Sequence, residues 1–322
     1  MNPKLIKRLL IVLFILVSFT MVYRVIYNNN PKKLAFQDIT VGKTSKIELI
    51  SPENRVVLEK KADAWQITSP IFFKANPEFI ETLIAGIKKV SLKNVISNNT
   101  EKFEKFKVSD SSADVVTVYA STHKEPVSLI VGKQSTQNYS NVYVRLKGKN
   151  EVYDTEGPQS HLFRKTAEDW RDKTIIAVKK GDISEINLVY KNETIKIFRK
   201  DKSWLLDDPE TGSPVNEAEL NTLLDTLEKF AATDILTPEK QAQLKVKTGI
   251  DKPEFEMIIK TAAPQQTRLI VGSVKTDYKY YLKREGDENI FQVFEYQITN
   301  LRKDYAKLKK TETPQETTSP PK

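Results

Sequence analysis

Asp207-Asp208-Pro209-Glu210 gathers three carboxylates in four positions, a set that could ligate calcium or act as a paired acid and base. A calcium loop needs further oxygen ligands at set spacing, and Thr211-Gly212-Ser213 supplies them poorly. The matching positions in the first half of the chain, Thr68-Ser69-Pro70-Ile71, carry no charge. The cluster therefore reads as a solvated turn. The chain has no cysteine and only two histidines, His123 and His161. Thiolate chemistry and histidine-rich metal sites are excluded by counting. Neither histidine has a serine or carboxylate at a motif spacing, and the isolated Gly86, Gly132 and Gly272 form no phosphate-binding loop. No metal, no cofactor and no enzymatic activity is the expectation.

Tyrosines beside cations are the better candidates. Tyr139, Tyr143 and Arg145 match Tyr278, Tyr281 and Lys283 in the second half. In a strand Tyr143 and Arg145 point to one face, and tyrosine with Arg or Lys on an open face suits a protein partner or an envelope glycan.

These residues sit on an internal repeat. Leu129-Ile130-Val131-Gly132 recurs as Leu269-Ile270-Val271-Gly272. Ile47 to Pro70 aligns without gaps on Ile186 to Pro209, which pairs Trp65 with Trp204 and Pro70 with Pro209. So long a period means a duplicated domain rather than a solenoid. Each unit opens with alternating strands near Lys46–Ile50, Val56–Leu58 and Trp65–Ile67, and the two tryptophans read as core anchors. A helix follows, capped by Asn76 with Pro77 in its first turn; its apolar stripe includes Ile80, Leu83, Ile84 and Ile87. In the second copy Asn216 and Glu219 have the spacing of a capping box. Strands near Val115–Tyr119, Val127–Val131, Val142–Leu146 and Glu151–Tyr153 complete the unit, and a helical stretch closes it. Trp170-Arg171-Asp172-Lys173 is loosely echoed there by Leu301-Arg302-Lys303-Asp304. The fold class is α+β: an N-terminal transmembrane helix followed by two tandem antiparallel-sheet-plus-helix domains.

The N-terminus sets the compartment. Lys4, Lys7 and Arg8 precede an apolar run from Leu9 to Tyr23, and counting on to Tyr27 nearly spans a bilayer if Arg24 snorkels. Bulky Met21, Val22 and Tyr23 replace the small residues a signal peptidase needs. The expected layout is a cytoplasmic tail 1–8, a signal anchor 9–27, a linker 28–44, repeat unit 1 over 45–172, repeat unit 2 over 173–308, and a disordered tail 309–322. The body then lies in the periplasm or an equivalent extracytoplasmic space, on the inner membrane by a single span. The charge of +9, from 51 Lys+Arg against 42 Asp+Glu, is intermixed along the chain and points to no nucleic-acid partner.

The W-x4-P segments (Trp65 to Pro70, Trp204 to Pro209), the Gly249-Ile250-Asp251-Lys252-Pro253 turn, the two strands ending in Gly132 and Gly272, and the strands around Tyr143 and Tyr281 occur in an order that resembles domain-of-unknown-function family 4340 over roughly 45–305. The first unit departs from that pattern, with Lys107-Val108-Ser109-Asp110 where the second has its glycine turn. A left-handed Gly249 would cap the helix before it, so the first unit is expected to end that helix differently. Family members are often encoded beside ABC-type transporters of the gliding-motility kind. The resemblance therefore implies a non-enzymatic scaffold or auxiliary subunit whose partners are integral membrane proteins, an ABC-type permease foremost. The alternative is an envelope polysaccharide-binding protein.

Overall fold

The structure, a computed structural model, describes residue 13, residues 16–20, 35–263 and 266–310. The expected anchor, 9–27, lies outside these residues except for Leu13 and 16–20, and no helix among the described residues is long and apolar enough to cross a membrane. The chain divides into two compact units, Met1–Asp172 and Lys173–Lys322.

In the first unit β1 (Thr44–Ser51), β2 (Asn54–Lys61), β3 (Ala64–Ser69) and β4 (Phe73–Lys74) form a meander. A helix, Pro77–Lys88, then carries the chain across the sheet to β5 (Val95–Ser97) at the far edge, and a short helix, Phe103–Phe106, leads back. There β6 (Asp114–Ala120) pairs with β1, and β7 (Val127–Gln134), β8 (Val142–Leu146) and β9 (Val152–Thr155) run out to meet β5. The nine strands lie in the order β4-β3-β2-β1-β6-β7-β8-β9-β5.

The second unit opens with β10 (Thr174–Ile176), then β11 (Ile183–Tyr190), β12 (Thr194–Lys200), β13 (Ser203–Leu206) and β14 (Ser213–Pro214). Helix Glu217–Glu228 is followed by β15 (Phe230–Ala231), which pairs with β10, and by β16 (Asp234–Leu236). Helix Pro238–Leu244 precedes β17 (Pro253–Thr261), β18 (Gln266–Thr276), β19 (Lys279–Arg284) and β20 (Ile290–Phe294); helices Glu295–Leu301 and Tyr305–Leu308 close the unit. Its order, β14-β13-β12-β11-β17-β18-β19-β20-β16, retraces the first strand for strand. The fold is mixed α+β with two similar antiparallel sheets, consistent with duplication.

Each long helix forms for reasons visible in its residues. Asn76 Oδ1 accepts the Glu78 N–H at 2.9 Å and Pro77 takes the first turn, where no N–H is needed. Ile80, Leu83, Ile84 and Ile87 then bury one stripe, which contributes about 1.5–3 kcal/mol per side chain. Asn216 caps the second helix in the same way, through the Ala218 N–H at 3.1 Å, above buried Leu220, Leu223, Leu224 and Leu227. The expected capping box is not made. The Asn216 N–H already donates to Leu308 O at 2.7 Å, so the Glu219 carboxylate has nothing to reach back to and bonds Lys303 Nζ at 2.8 Å instead.

One face of each sheet is covered by its long helix and the other in part by the crossover. The long helix packs on one face, with Ile47, Leu58, Trp65, Ile67, Val116 and Val144 beneath it in the first unit. The crossover through the short helix covers the other face at the β6–β9 end, where Val108, Ala113, Val115, Ile130, Tyr143 and Val152 form a second cluster. Leu236, Tyr281 and Ile290 with Val246, Ile250 and Val274 repeat it in the second unit. Gly132 and Gly272 make this close approach feasible: a Cβ would lie 2.2 Å from Phe106 O at the first and 2.0 Å from Thr248 O at the second. The strand register also shifts beside both glycines, the signature of a bulge.

Four expectations need correction. Gly249 is left-handed at φ +69°, but the residue that ends helix Pro238–Leu244 is Lys245 at φ +50°. Lys107, at φ +58°, ends helix Phe103–Phe106 in the same conformation, so the two units do not differ there. The expected linker 28–44 overlaps the fold, because Phe36 and Ile39 are buried in the first core and Ala35 N–H donates to Val90 O at 2.9 Å. In the expected tail 309–322, Lys309 bridges Val215 and the Lys310 N–H donates to Pro214 O at 3.1 Å; residues 311–322 lie outside the described residues. The structural counterpart of Trp170 is Leu308 rather than Leu301, since Asn76 N–H donates to Trp170 O at 2.8 Å as Asn216 does to Leu308 O.

Backbone oxygens cannot yield as a flexible side chain can. Gly132→Ala and Gly272→Ala are expected to cost about 3 kcal/mol each, the first lowering the unfolding midpoint of unit 1 and the second that of unit 2. Calorimetry of the two single variants checks this, with alanine at exposed Gly42, where nothing lies within 4 Å, as the control.

Candidate functional site

The tyrosine-and-cation strands do not form the open face expected of them. Tyr143 and Tyr281 are buried and Arg145 is only 2% exposed, while Lys283 is half-buried. The reason is tertiary: the crossover segment lies over that side of the sheet. Phe106 meets Tyr143 edge-on at 4.9 Å, and the Arg145 guanidinium lies 4.3 Å from the Phe103 ring centre. Arg145 donates through Nε to Val108 O and through Nη1 to Lys149 O, both at 2.9 Å, and pairs with Asp110 at 2.8 Å. These bonds fix the end of the short helix to β8, so Arg145 is a fastener. Of the six candidates, only Tyr139 and Tyr278 stand in solvent, at 78% and 79% exposure.

Both occupy the tip of the hairpin that follows the LIVG strand, presented differently. In unit 1 the loop is long and stapled from beneath by Asp154, whose carboxylate accepts from Ser135 Oγ and Asn141 Nδ2, each at 2.7 Å. Thr136 N–H and hydroxyl both lie 3.3 Å from the Tyr143 hydroxyl, and these bonds hold that hydroxyl below its usual range. A buried serine beside a carboxylate could suggest a nucleophile, but Ser135 Oγ also takes the N–H groups of Gln137 and Asn138. It is committed to the loop. In unit 2 the loop is a two-residue turn, Asp277-Tyr278, with both residues at positive φ as a type I′ hairpin requires.

Around Tyr278 the structure gathers an aromatic cluster that the sequence reading missed. The Glu295 N–H donates to Tyr278 O at 2.8 Å, which places Phe294 and Tyr296 beside the turn. Phe294 and Tyr296 stack with ring centres 5.8 Å apart and planes at 21°, at 39% and 65% exposure. Lys279 Nζ lies 5.6 Å over Phe294, and Lys275 pairs with Glu295 at 2.9 Å. Three exposed rings gather at this turn, and aromatic side chains are enriched at protein interfaces. Unit 1 has Glu156 and Pro158 at the aligned positions, so the patch belongs to one copy. The signal available in the sequence was an aromatic pair two apart at the end of an alternating strand.

A second feature of unit 2 is an open cleft of about 990 Å³ between the β11–β12 hairpin and the closing helices. Several of its charges are paired within the unit. Lys303, nearly buried, holds Glu219, and Arg302 pairs with Glu254. Lys303 keeps the Glu219 carboxyl below its usual range. The Tyr190 hydroxyl donates to Lys303 O at 2.8 Å and accepts from its N–H at 3.1 Å. Burial pushes that hydroxyl up to about 12, so at neutral pH it is a fixed donor and not a base. The Asp207–Glu210 cluster is likewise used locally, as Asp208 Oδ1 accepts the N–H groups of Glu210 and Thr211, both at 2.8 Å, and is held below its usual range by them. Among the described residues no group of three or more His, Asp or Glu side chains is placed to hold a metal ion.

The repeat anchors divide as well. Trp65 is buried and Trp204 half-buried, their carbonyls accepting from Ala75 and Val215 at 2.8 and 3.2 Å. Pro70 and Pro209 stand exposed in the turns that follow.

Tyr190 titrates higher in the folded unit than in an unfolded chain, so its contribution is complete below pH ~10 and is lost as the pH rises toward about 12. Tyr190→Phe is expected to destabilise unit 2 by about 1 kcal/mol at pH 7 and to remove that alkaline loss. Denaturant titrations of both proteins at intervals between pH 8 and about 12 check it.

No curated protein and no solved structure matches this chain at a significant level. A family profile does, over residues 65–248, more than half of the chain. The matched stretch runs from Trp65 of the first unit to Thr248, the residue whose carbonyl lies against Gly272 in the second. The chain belongs to the family described as Domain of unknown function (DUF4340).

Proposed function

We propose that this protein is a non-enzymatic, membrane-anchored extracytoplasmic scaffold, an auxiliary subunit of an ABC-type transport complex. The observation that carries the binding role is the exposed patch of Tyr278, Phe294 and Tyr296 with Lys279 on unit 2. Tyrosine is among the side chains that most often dominate binding energy at protein interfaces. A stem at Leu9 to Tyr27 would confine that patch near the membrane and raise its effective concentration at a membrane partner, so that a modest surface suffices. The chemistry beneath the reading is consistent with it. Lys303 and Glu219, and Arg302 and Glu254, are spent on one another in the cleft, and its half-buried phenol, Tyr190, is held protonated.

The ABC-type partner and the inner-membrane location rest on the family resemblance and on the apolar N-terminal run. The polysaccharide reading relied on rows of tyrosines along two open strands. With Tyr143, Tyr281 and Arg145 buried, it keeps only the separate tips Tyr139 and Tyr278, a weaker platform for a polymer than for a protein loop.

A photo-crosslinking amino acid at position 278 or 296 in intact cells is expected to capture an integral membrane protein. Tyr278→Ala with Tyr296→Ala, both at exposed sites, should weaken that capture at least tenfold without altering the unfolding midpoint. Recovery of cell-wall polymer instead, or of no membrane protein at either position, would sink the proposal.

A further inference from the structure

We propose that the face of unit 1 around Phe36 and Gln37 is a contact surface for anionic lipid head groups. The inference rests on the anchored reading and names what the anchored body touches first. Tyr27, the last residue of the apolar run, precedes Ala35 by eight positions, a reach of at most roughly 29 Å. Ala35 is already part of the fold, hydrogen-bonded to Val90 O at the end of helix Pro77–Lys88, and the Phe36 side chain behind it is buried. On the anchored reading this face therefore stays within that reach of the bilayer.

The face is basic. Gln37 shares a shallow depression with Lys88 and Lys89. Phe36 borders another with Lys147 and Lys149, beside Pro126, and Lys124 lies two residues from Pro126. The carboxylates here are Asp38, which faces His123 at 3.3 Å, Glu156, which faces Lys89 at 3.9 Å, and Glu125. Five lysines stand against three carboxylates, an excess of two positive charges. Among the described residues no carboxylate pairs with Lys88, Lys147 or Lys149. Lysines on flexible stems, gathered where a tether ends and three of them without a carboxylate partner, fit a surface of phosphate groups. Each such lysine near an anionic membrane biases binding by on the order of 5-fold, and the attraction decays within about 8 Å at physiological salt.

The chain lacks cysteine, so Gln37→Cys in the full-length protein gives a single labelled position at the centre of the face. A fluorophore there would be read against a quencher carried on lipid head groups, in vesicles of phosphatidylcholine and of phosphatidylcholine with 30% phosphatidylglycerol. Quenching is expected to be stronger in the anionic vesicles, to fall as salt rises from 0.05 to 0.5 M, and to lose its dependence on lipid charge in Lys88→Gln/Lys147→Gln/Lys149→Gln. Three neutralised lysines should shift the docked-to-free ratio by about 100-fold. The salt titration of the parent protein needs no lysine variant and stands if the triple variant folds poorly. Equal quenching in both vesicle types at low salt, with the protein floating alongside them, would overturn the proposal and leave the anchor intact. Failure to float after a high-salt wash would instead remove the anchored reading, and this surface with it.

Discussion

Each unit is closed by one short antiparallel contact at the start of its long helix. The cap asparagine gives its side chain to the helix and its own N–H to a carbonyl of the unit's last segment: Asn76 to Trp170 O, Asn216 to Leu308 O. One residue away, Ala75 bridges Arg171 and Val215 bridges Lys309. Edge strand, helix start and C-terminal segment therefore meet at a single point. The cap backbone would otherwise leave an N–H unpaired inside the fold, which is costly, so the closing segment has a fixed place to go. Much else in the unit follows from where it lands.

The segment is held a second time by a lysine, and the two copies solve that contact differently. In unit 1 Lys165 Nζ lies 4.2 Å over the Phe79 ring, and Phe79 packs edge-on against Trp170 at 5.7 Å. In unit 2 the same helix position is Glu219, which ion-pairs with nearly buried Lys303. A cation over a ring and a cation on a carboxylate do the same mechanical task with different surroundings. The aromatic version extends the apolar core, while the ionic version leaves a charged, open cleft. The hairpin tip follows suit, bonding the backbone carbonyl of that lysine through Asn54 Nδ2 in one copy and the Tyr190 hydroxyl in the other.

That freedom lets one scaffold carry two surfaces. The sheet, the long helix and the glycine-lined crossover are shared, and they tolerate little change because backbone approaches backbone there. The hairpin beyond each LIVG strand is not so bound. One copy builds a long loop on Asp154, and the other builds a two-residue turn with Phe294 and Tyr296 alongside. A partner-binding role rests on the second of these, and it asks for nothing from the buried residues beneath.

The strands, the start of each long helix and the pairing of the two halves were legible in the residues alone. Alternation of Ile47 and Leu49 with polar neighbours, an asparagine before Pro77, and the recurring LIVG are local signals that survive folding. What lay beyond the chain order was which side of the sheet would be covered. A period of two assigns Tyr143 and Arg145 to a common face but carries no information on whether that face meets water or another segment. Tyrosine and arginine suit both, since each has an apolar body and a polar end. Only the crossovers, from β5 to β6 against Gly132 and from β16 to β17 against Gly272, decided that those side chains would be sealed in, while Tyr278, Phe294 and Tyr296 stay outside. The reason is physical: burial is a property of what packs on a strand, and the packing partners here come from residues tens of positions away.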